Sequence, residues 1–215
     1  MSIKLYRSTY DEFDPTNNGG DITDNLIESG VLHSFMPRVR PRMAEIGGER
    51  WFKFFVKADV DIVSIGIDIA KYTKSEDEEI YIALENNHNE VESDIDKDNI
   101  RLFGGFRVVD IDKDNKQITA DRDVSDFVKA GDYVTFYNKS NNRIISLKVD
   151  SVDEDKITFK ILKDIEIGYL ASSSLFVENI NKDEYIGIWL KQTIKEYSQG
   201  IDPNSCILNI WYDKK

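Results

Sequence analysis

Two runs of alternating residues dominate the chain. In residues 50–57, Phe52, Phe54 and Val56 fall on one side while Lys53 and Lys57 fall on the other. In residues 62–70, Val63, Ile65, Ile67 and Ile69 oppose Ser64, Gly66 and Asp68. Period two predicts β-strands, and an almost purely apolar face beside a wetter one predicts a second sheet packed over the apolar side. The expected architecture is therefore all-β, a sandwich of Ig-like or jelly-roll type.

The same pattern returns in residues 79–84, where Ile80, Ile82 and Leu84 share a face, and near the end of the chain in residues 185–190 and 206–212. Between these stretches the character changes. Short strands are expected near residues 102–110, 117–121, 133–137, 143–152 and 156–162, joined by Asp112-Lys113-Asp114-Asn115, by a single helical turn at 125–129, by a tip at 139–142 and by Asp153-Glu154-Asp155. Five short strands with acidic turns suit a small SH3-like or OB-like barrel. The predicted organisation is an extended arm at 1–49, a discontinuous sandwich from 50–92 and 170–215, and a barrel inserted at 93–169. The arm carries the turn signal Asp14-Pro15-Thr16-Asn17-Asn18-Gly19-Gly20-Asp21 and a short edge strand over residues 4–7.

Charge narrows the function. The 215 residues carry 40 acidic and 28 basic side chains, a formal net charge of −12, which argues against nucleic acid or an anionic membrane as partner. The first residues contain no apolar run of signal-peptide type and no stretch long enough to span a bilayer, so the chain is expected in the cytoplasm when made. The single cysteine, Cys206, and the two histidines, His33 and His88, leave no disulfide framework and few zinc patterns.

Candidate chemistry is sparse. Asp110, Asp112 and Asp114, with Asn115 following and Asp121 further on, imitate the start of a calcium loop, and Asp94, Asp96 and Asp98 repeat the spacing. Both lack the glycine of the sharp bend, and acidic residues favour turns in their own right, so hairpin turns are the expectation; calcium at Asp110, Asp112 and Asp114 would be structural. No nucleophile motif, phosphate loop or distinguishable carboxylate pair is present, so the chain reads as a non-enzyme without a required cofactor. Trp51, Trp189 and Trp211 lie on the wetter faces of their strands with Tyr81 and Tyr185. Such a surface is either a sugar platform or is covered by the arm or a subunit, and covering is the expectation. In an extended arm Arg38, Arg40 and Arg42 alternate with Val39, Pro41 and Met43, and with Arg50 at the head of the first strand they are the candidate partner-binding residues, suited to carboxylates of an acidic neighbour.

One family is similar. The order of Ile3-Lys4-Leu5-Tyr6-Arg7-Ser8, Asn18-Gly19-Gly20, residues 29–39 with Phe35-Met36-Pro37-Arg38-Val39, and Gly48-Glu49-Arg50-Trp51-Phe52-Lys53-Phe54-Phe55-Val56-Lys57 resembles virion structural proteins of tailed bacteriophages. The resemblance covers about the first 70 residues and the general layout of the rest. It implies an Ig-like sandwich with an N-terminal arm, a capsid-decorating, neck or tail accessory protein that contacts other virion proteins or copies of itself, and no catalysis. The alternative from the residues alone is a carbohydrate-binding or adhesion module with structural calcium.

Overall fold

A computed structural model describes residues 2–28, 36–70, 78–97, 100–138, 143–197 and 207–215. Among the described residues the strands are β1 (Ile3–Arg7), β2 (Gly48–Ala58), β3 (Ile62–Ala70), β4 (Glu78–Leu84), β5 (Arg101–Leu102), β6 (Gly105–Asp112), β7 (Gln117–Ala120), β8 (Tyr133–Asn138), β9 (Arg143–Asp153), β10 (Lys156–Phe159), β11 (Leu170–Ile180), β12 (Tyr185–Ile194) and β13 (Ile207–Lys214), with a short helix, α1 (Pro41–Ile46). They form a five-stranded antiparallel sheet, ordered β1-β2-β12-β4-β5, and an eight-stranded sheet, ordered β13-β3-β11-β6-β7-β10-β9-β8. The protein is an all-β sandwich.

The two strands that announce the fold do not pair with each other. β2 joins the first sheet through β1 and β12, while β3 crosses to the second and pairs with β11 and β13. The apolar faces then meet: Phe54, Val56, Ile80, Ile82, Ile188 and Leu190 pack against Ile65 and Ile67 as one buried cluster. Burial of side chains this large is the main stabilisation of a sandwich, about 1.5–3 kcal/mol for each.

β11 is the hinge of the design. Its second half, Leu175 to Ile180, pairs with β3, whereas its first half pairs with β6 on one edge and β8 on the other. Strands β6, β7, β10, β9 and β8 thus close on β11, and the barrel takes one wall from a sandwich strand. Alternation does not reveal this strand, because its middle is Ser172-Ser173-Ser174, all nearly fully buried. Two of the hydroxyls are satisfied across the barrel: Ser174 Oγ meets Thr135 Oγ1 at 2.5 Å and Ser173 Oγ accepts from Gly104 N at 3.3 Å. Inside the barrel Phe106, Val134, Phe136, Val149, Ile157 and Phe159 make a separate core without a charged side chain.

Candidate functional site

The outer face of the five-stranded sheet is expected to be wet, yet β2 is buried on both sides from Arg50 to Val56. Two segments cover it: the turn at Asn18 to Gly20, and the stretch after β4 that includes the 3₁₀ turn at Glu92–Asp94. Trp189 is fully buried and Trp51 nearly so, meeting edge to face at 6.4 Å between centroids. These two tryptophans therefore offer no sugar platform; the covered reading holds for them. Tyr81 and Trp51 also share Lys191, whose Nζ lies 5.1 and 5.6 Å from their ring centres.

Lys53 closes this cover from below. Its ammonium is wholly buried and ion-pairs with Glu85 Oε2 at 2.8 Å. It also donates to the carbonyls of Gly20 at 2.8 Å, His88 at 2.7 Å and Glu90 at 3.3 Å, and sits over Phe55 and Trp189. A buried charge is tolerated only when it is paired and hydrogen-bonded, and here carbonyl dipoles, a carboxylate and two ring faces replace water. Glu85 Oε1 accepts from Gly187 N and lies 2.6 Å from His88 Nδ1. Glu90, also buried, accepts from Trp189 Nε1 at 2.8 Å and Asn86 Nδ2 at 2.8 Å. Asn18 Nδ2 reaches Trp51 O and Glu92 Oε2, and Gly19 lies where a Cβ would come within 2.3 Å of Trp189 at φ +104°. Only glycine fits there. The cluster ties residues 18–20 to β2, to β12 and to residues 85–92. Its sequence signal is Lys53 itself, flanked at i−2 and i+2 by Trp51 and Phe55: a cation on a face otherwise made of large aromatics.

The arginines separate. Arg50 is buried; it donates to the carbonyls of Pro37 and Arg38 and to Gln192 Oε1, and stacks over Phe52 at 5.1 Å. Its expected role toward a partner is corrected: the guanidinium fastens residues 37–38 to the end of the sandwich. Arg38, Arg40 and Arg42 do not form one extended row either, because Pro41 starts helix α1 and its fixed φ suits a first turn. Arg40 pairs with Glu12 at 3.1 Å and covers Phe13. Arg38 and Arg42 are exposed, without an ion-pair partner among the described residues. Phe13 under Arg40, Ile46 at the end of α1 and Tyr197 are 76%, 60% and 75% exposed. Tyr197 N donates to Glu45 O, so its strand end and α1 form one corner.

The loop from Asp112 to Asn115 is a hairpin turn. Asp112 accepts from Asn115 N at 3.1 Å and Asn115 Nδ2 at 2.7 Å, with Lys116 at φ 54° completing the hairpin from β6 to β7. Those bonds hold its carboxyl below the usual range. Asp110 and Asp114 are exposed, and no group of three or more His, Cys, Asp or Glu among the described residues is arranged to hold a metal ion. The hairpin reading of Asp110, Asp112 and Asp114 fits these bonds, and calcium there has no preformed ligand cluster among the described residues. A hollow of about 430 Å³ beside the barrel is lined by Val109, Asp121, Asp123, Glu154 and Asp155 among others, but Asp121 already accepts from Arg107 N and Asp123 from Ser125. His33, Asp98 and Cys206 lie outside the described residues.

Another buried carboxylate sits where barrel meets sandwich. Asp68 of β3 has no exposure and accepts from Tyr137 Oη of β8 and from Asn209 Nδ2 of β13 at 3.1 Å. Burial pushes its pKa up from 3.8 to about 6; the hydrogen bonds from Tyr137 and Asn209, and the nearby indole N–H of Trp211, offset part of that. The indole makes no hydrogen bond of good geometry, and Ser172 Oγ, beside Tyr137, is likewise left unpaired. Burial and the Asp68 charge push the Tyr137 hydroxyl well up. Alternation assigned Asp68 to the wetter face; β8 covers that face, which no local pattern in β3 discloses.

No family model, curated protein or solved structure matches the chain.

Proposed function

We propose that the chain is a structural component of a tailed-bacteriophage virion, a capsid-decorating, neck or tail accessory protein that works through protein–protein contacts and catalyses nothing. The observation that carries this reading is the exposure at and near α1: Arg38 and Arg42 are exposed, and so are Phe13 under Arg40, Ile46 at the end of α1 and Tyr197, whose N–H donates to Glu45 O, on a chain of net charge −12. Exposed aromatic and aliphatic side chains together with guanidinium groups that have no ion-pair partner among the described residues have the composition of a protein contact, and the forks suit carboxylates on an acidic neighbour or on another copy. The resemblance supports it from a second direction. Asn18-Gly19-Gly20 and the strand from Gly48 to Lys57 are far apart in sequence but lock together through Lys53 and Trp189, which gives a physical reason for both to occur in one chain.

The sugar-binding alternative loses its main support, since Trp51 and Trp189 are buried. The test is incorporation. With Arg38→Ser and Arg42→Ser combined, particles assembled in the presence of the chain should lack it by mass spectrometry, while the wild type is present in many copies. Normal incorporation of the variant overturns the role given to the corner.

A further inference from the structure

Sheet edges are liabilities that proteins cover, shorten or charge. In this molecule three of four ends are managed. The outer edge of β1 is occupied: Arg7 N donates to Asn25 O at 2.8 Å, Thr23 N to Arg7 O at 2.9 Å and Ile27 N to Leu5 O at 2.9 Å. β5 is only two residues long. β8 closes onto β11. β13 is different. It is eight residues long and pairs with β3 from Ile207↔Ala70 to Lys214↔Ile62, and no backbone group among the described residues bonds its other edge.

Nor does β13 carry the usual protections. It has no proline, its charges are confined to Asp213 and Lys214, and its register shifts only at Asp213/Lys214. Both of its faces are fixed. Ile210 and Tyr212 pack on the sandwich core, Asn209 bonds Asp68, and Trp211 lies against Phe176 and over Gly66, where a Cβ would be 1.8 Å from the ring. The strand is thus held on both faces at Asn209 to Tyr212, with one row of amides and carbonyls that no described residue bonds, the arrangement on which an added strand forms a ladder at low ordering cost.

We propose that this edge joins two copies of the chain, β13 against β13, antiparallel across a twofold axis. A second copy supplies a matching edge, the one open sheet end among the described residues, and an isologous pair leaves that edge unavailable for further growth. Antiparallel pairing also sets Lys214 and Lys215 of the two copies at opposite ends of the seam, whereas a parallel pair would place like charges side by side. Because a two-strand seam is smaller than a standard interface, the pair forms at high protein concentration, as when copies are gathered on a larger assembly. This inference does not depend on the corner at α1, which lies elsewhere on the chain.

The test is sedimentation velocity of the full chain from nanomolar to high micromolar concentration, with amide hydrogen exchange at both extremes. The expected result is a monomer that doubles in mass with concentration while the fast-exchanging half of the β13 amides becomes protected. A chain that stays monomeric throughout overturns the proposal, and so does a dimer in which β13 exchanges as fast as in the monomer.

Discussion

The barrel and the five-stranded sheet protect their interiors in opposite ways. The barrel core is uncharged and walled by hairpins whose turns join neighbouring strands, as Asp112 does with Asn115 and as Lys156 does when it pairs back to Asp153. The outer face of the five-stranded sheet is sealed by an ion cluster drawn from distant parts of the chain: Gly20, Lys53, Glu85, Glu90 and Gly187. The difference teaches what each region depends on. The first is built mostly from consecutive hairpins and closed by the distant strand β11; the second rests on the buried Lys53 cation, whose removal strands its partners.

That contrast can be broken at its strongest point. Lys53→Met leaves Glu85 buried without its cation, and removal of one member of a buried pair costs about 3–5 kcal/mol. Chemical denaturation should show that loss, and adding Glu85→Gln should recover part of it; an unchanged midpoint for Lys53→Met would remove the cluster from the account. Hydrogen exchange should place the opened amides in β2, β4 and β12 before those of the barrel.

The Asp68 junction comes next, and its sign is opposite to that of an ordinary surface carboxylate. Its folded pKa is raised from 3.8 to about 6, so the native state binds the proton more tightly than the unfolded chain. Stability from this group is full below about pH 4 and is lost as pH rises through about 6, up to about 3 kcal/mol at roughly 1.4 kcal/mol per unit. Asp68→Asn should abolish that fall, so the variant gains on the wild type between pH 4 and pH 7 in parallel melts. Parallel curves for the two proteins would contradict the burial assigned to the carboxyl.

Gly19→Ala follows, expected to cost about 1–3 kcal/mol from its positive φ and its overlap with Trp189. The smallest effect belongs to the barrel. Asp112→Ala should lower the melting temperature slightly at neutral pH, less so at acid pH where the lowered carboxyl is protonated in either state, and added calcium should leave the wild-type melt unmoved. A calcium-dependent rise would restore a metal to that hairpin.

How far the sequence reached follows the same division. Strands with one apolar face, such as β4 and β12, are legible because Ile80, Ile82, Ile188 and Leu190 repeat at period two. The turn at Val124 to Val128 is legible from the residues that flank it, with Asp123 capping Ser125. β11 is not, because three consecutive serines read as a loop and become strand only when Thr135 and Gly104 meet them. Arg50 and Lys53 read as solvent-facing cations because their partners lie at Gln192, Pro37, Gly20 and Glu85, and only tertiary structure brings those together. The arginine row fails at Pro41, where a helix begins.

A virion role is tested most directly by counting this chain in assembled particles by quantitative mass spectrometry, for the wild type and for the Arg38→Ser, Arg42→Ser double variant. The side chains replaced are exposed and the backbone carbonyl of Arg38 that holds Arg50 is kept, so the variant should melt with the wild type, within about 0.5 kcal/mol of stability. Many copies of the wild type per particle are expected, and few or none of the variant. Particles that lack the wild type, or that carry the variant equally, would contradict that expectation.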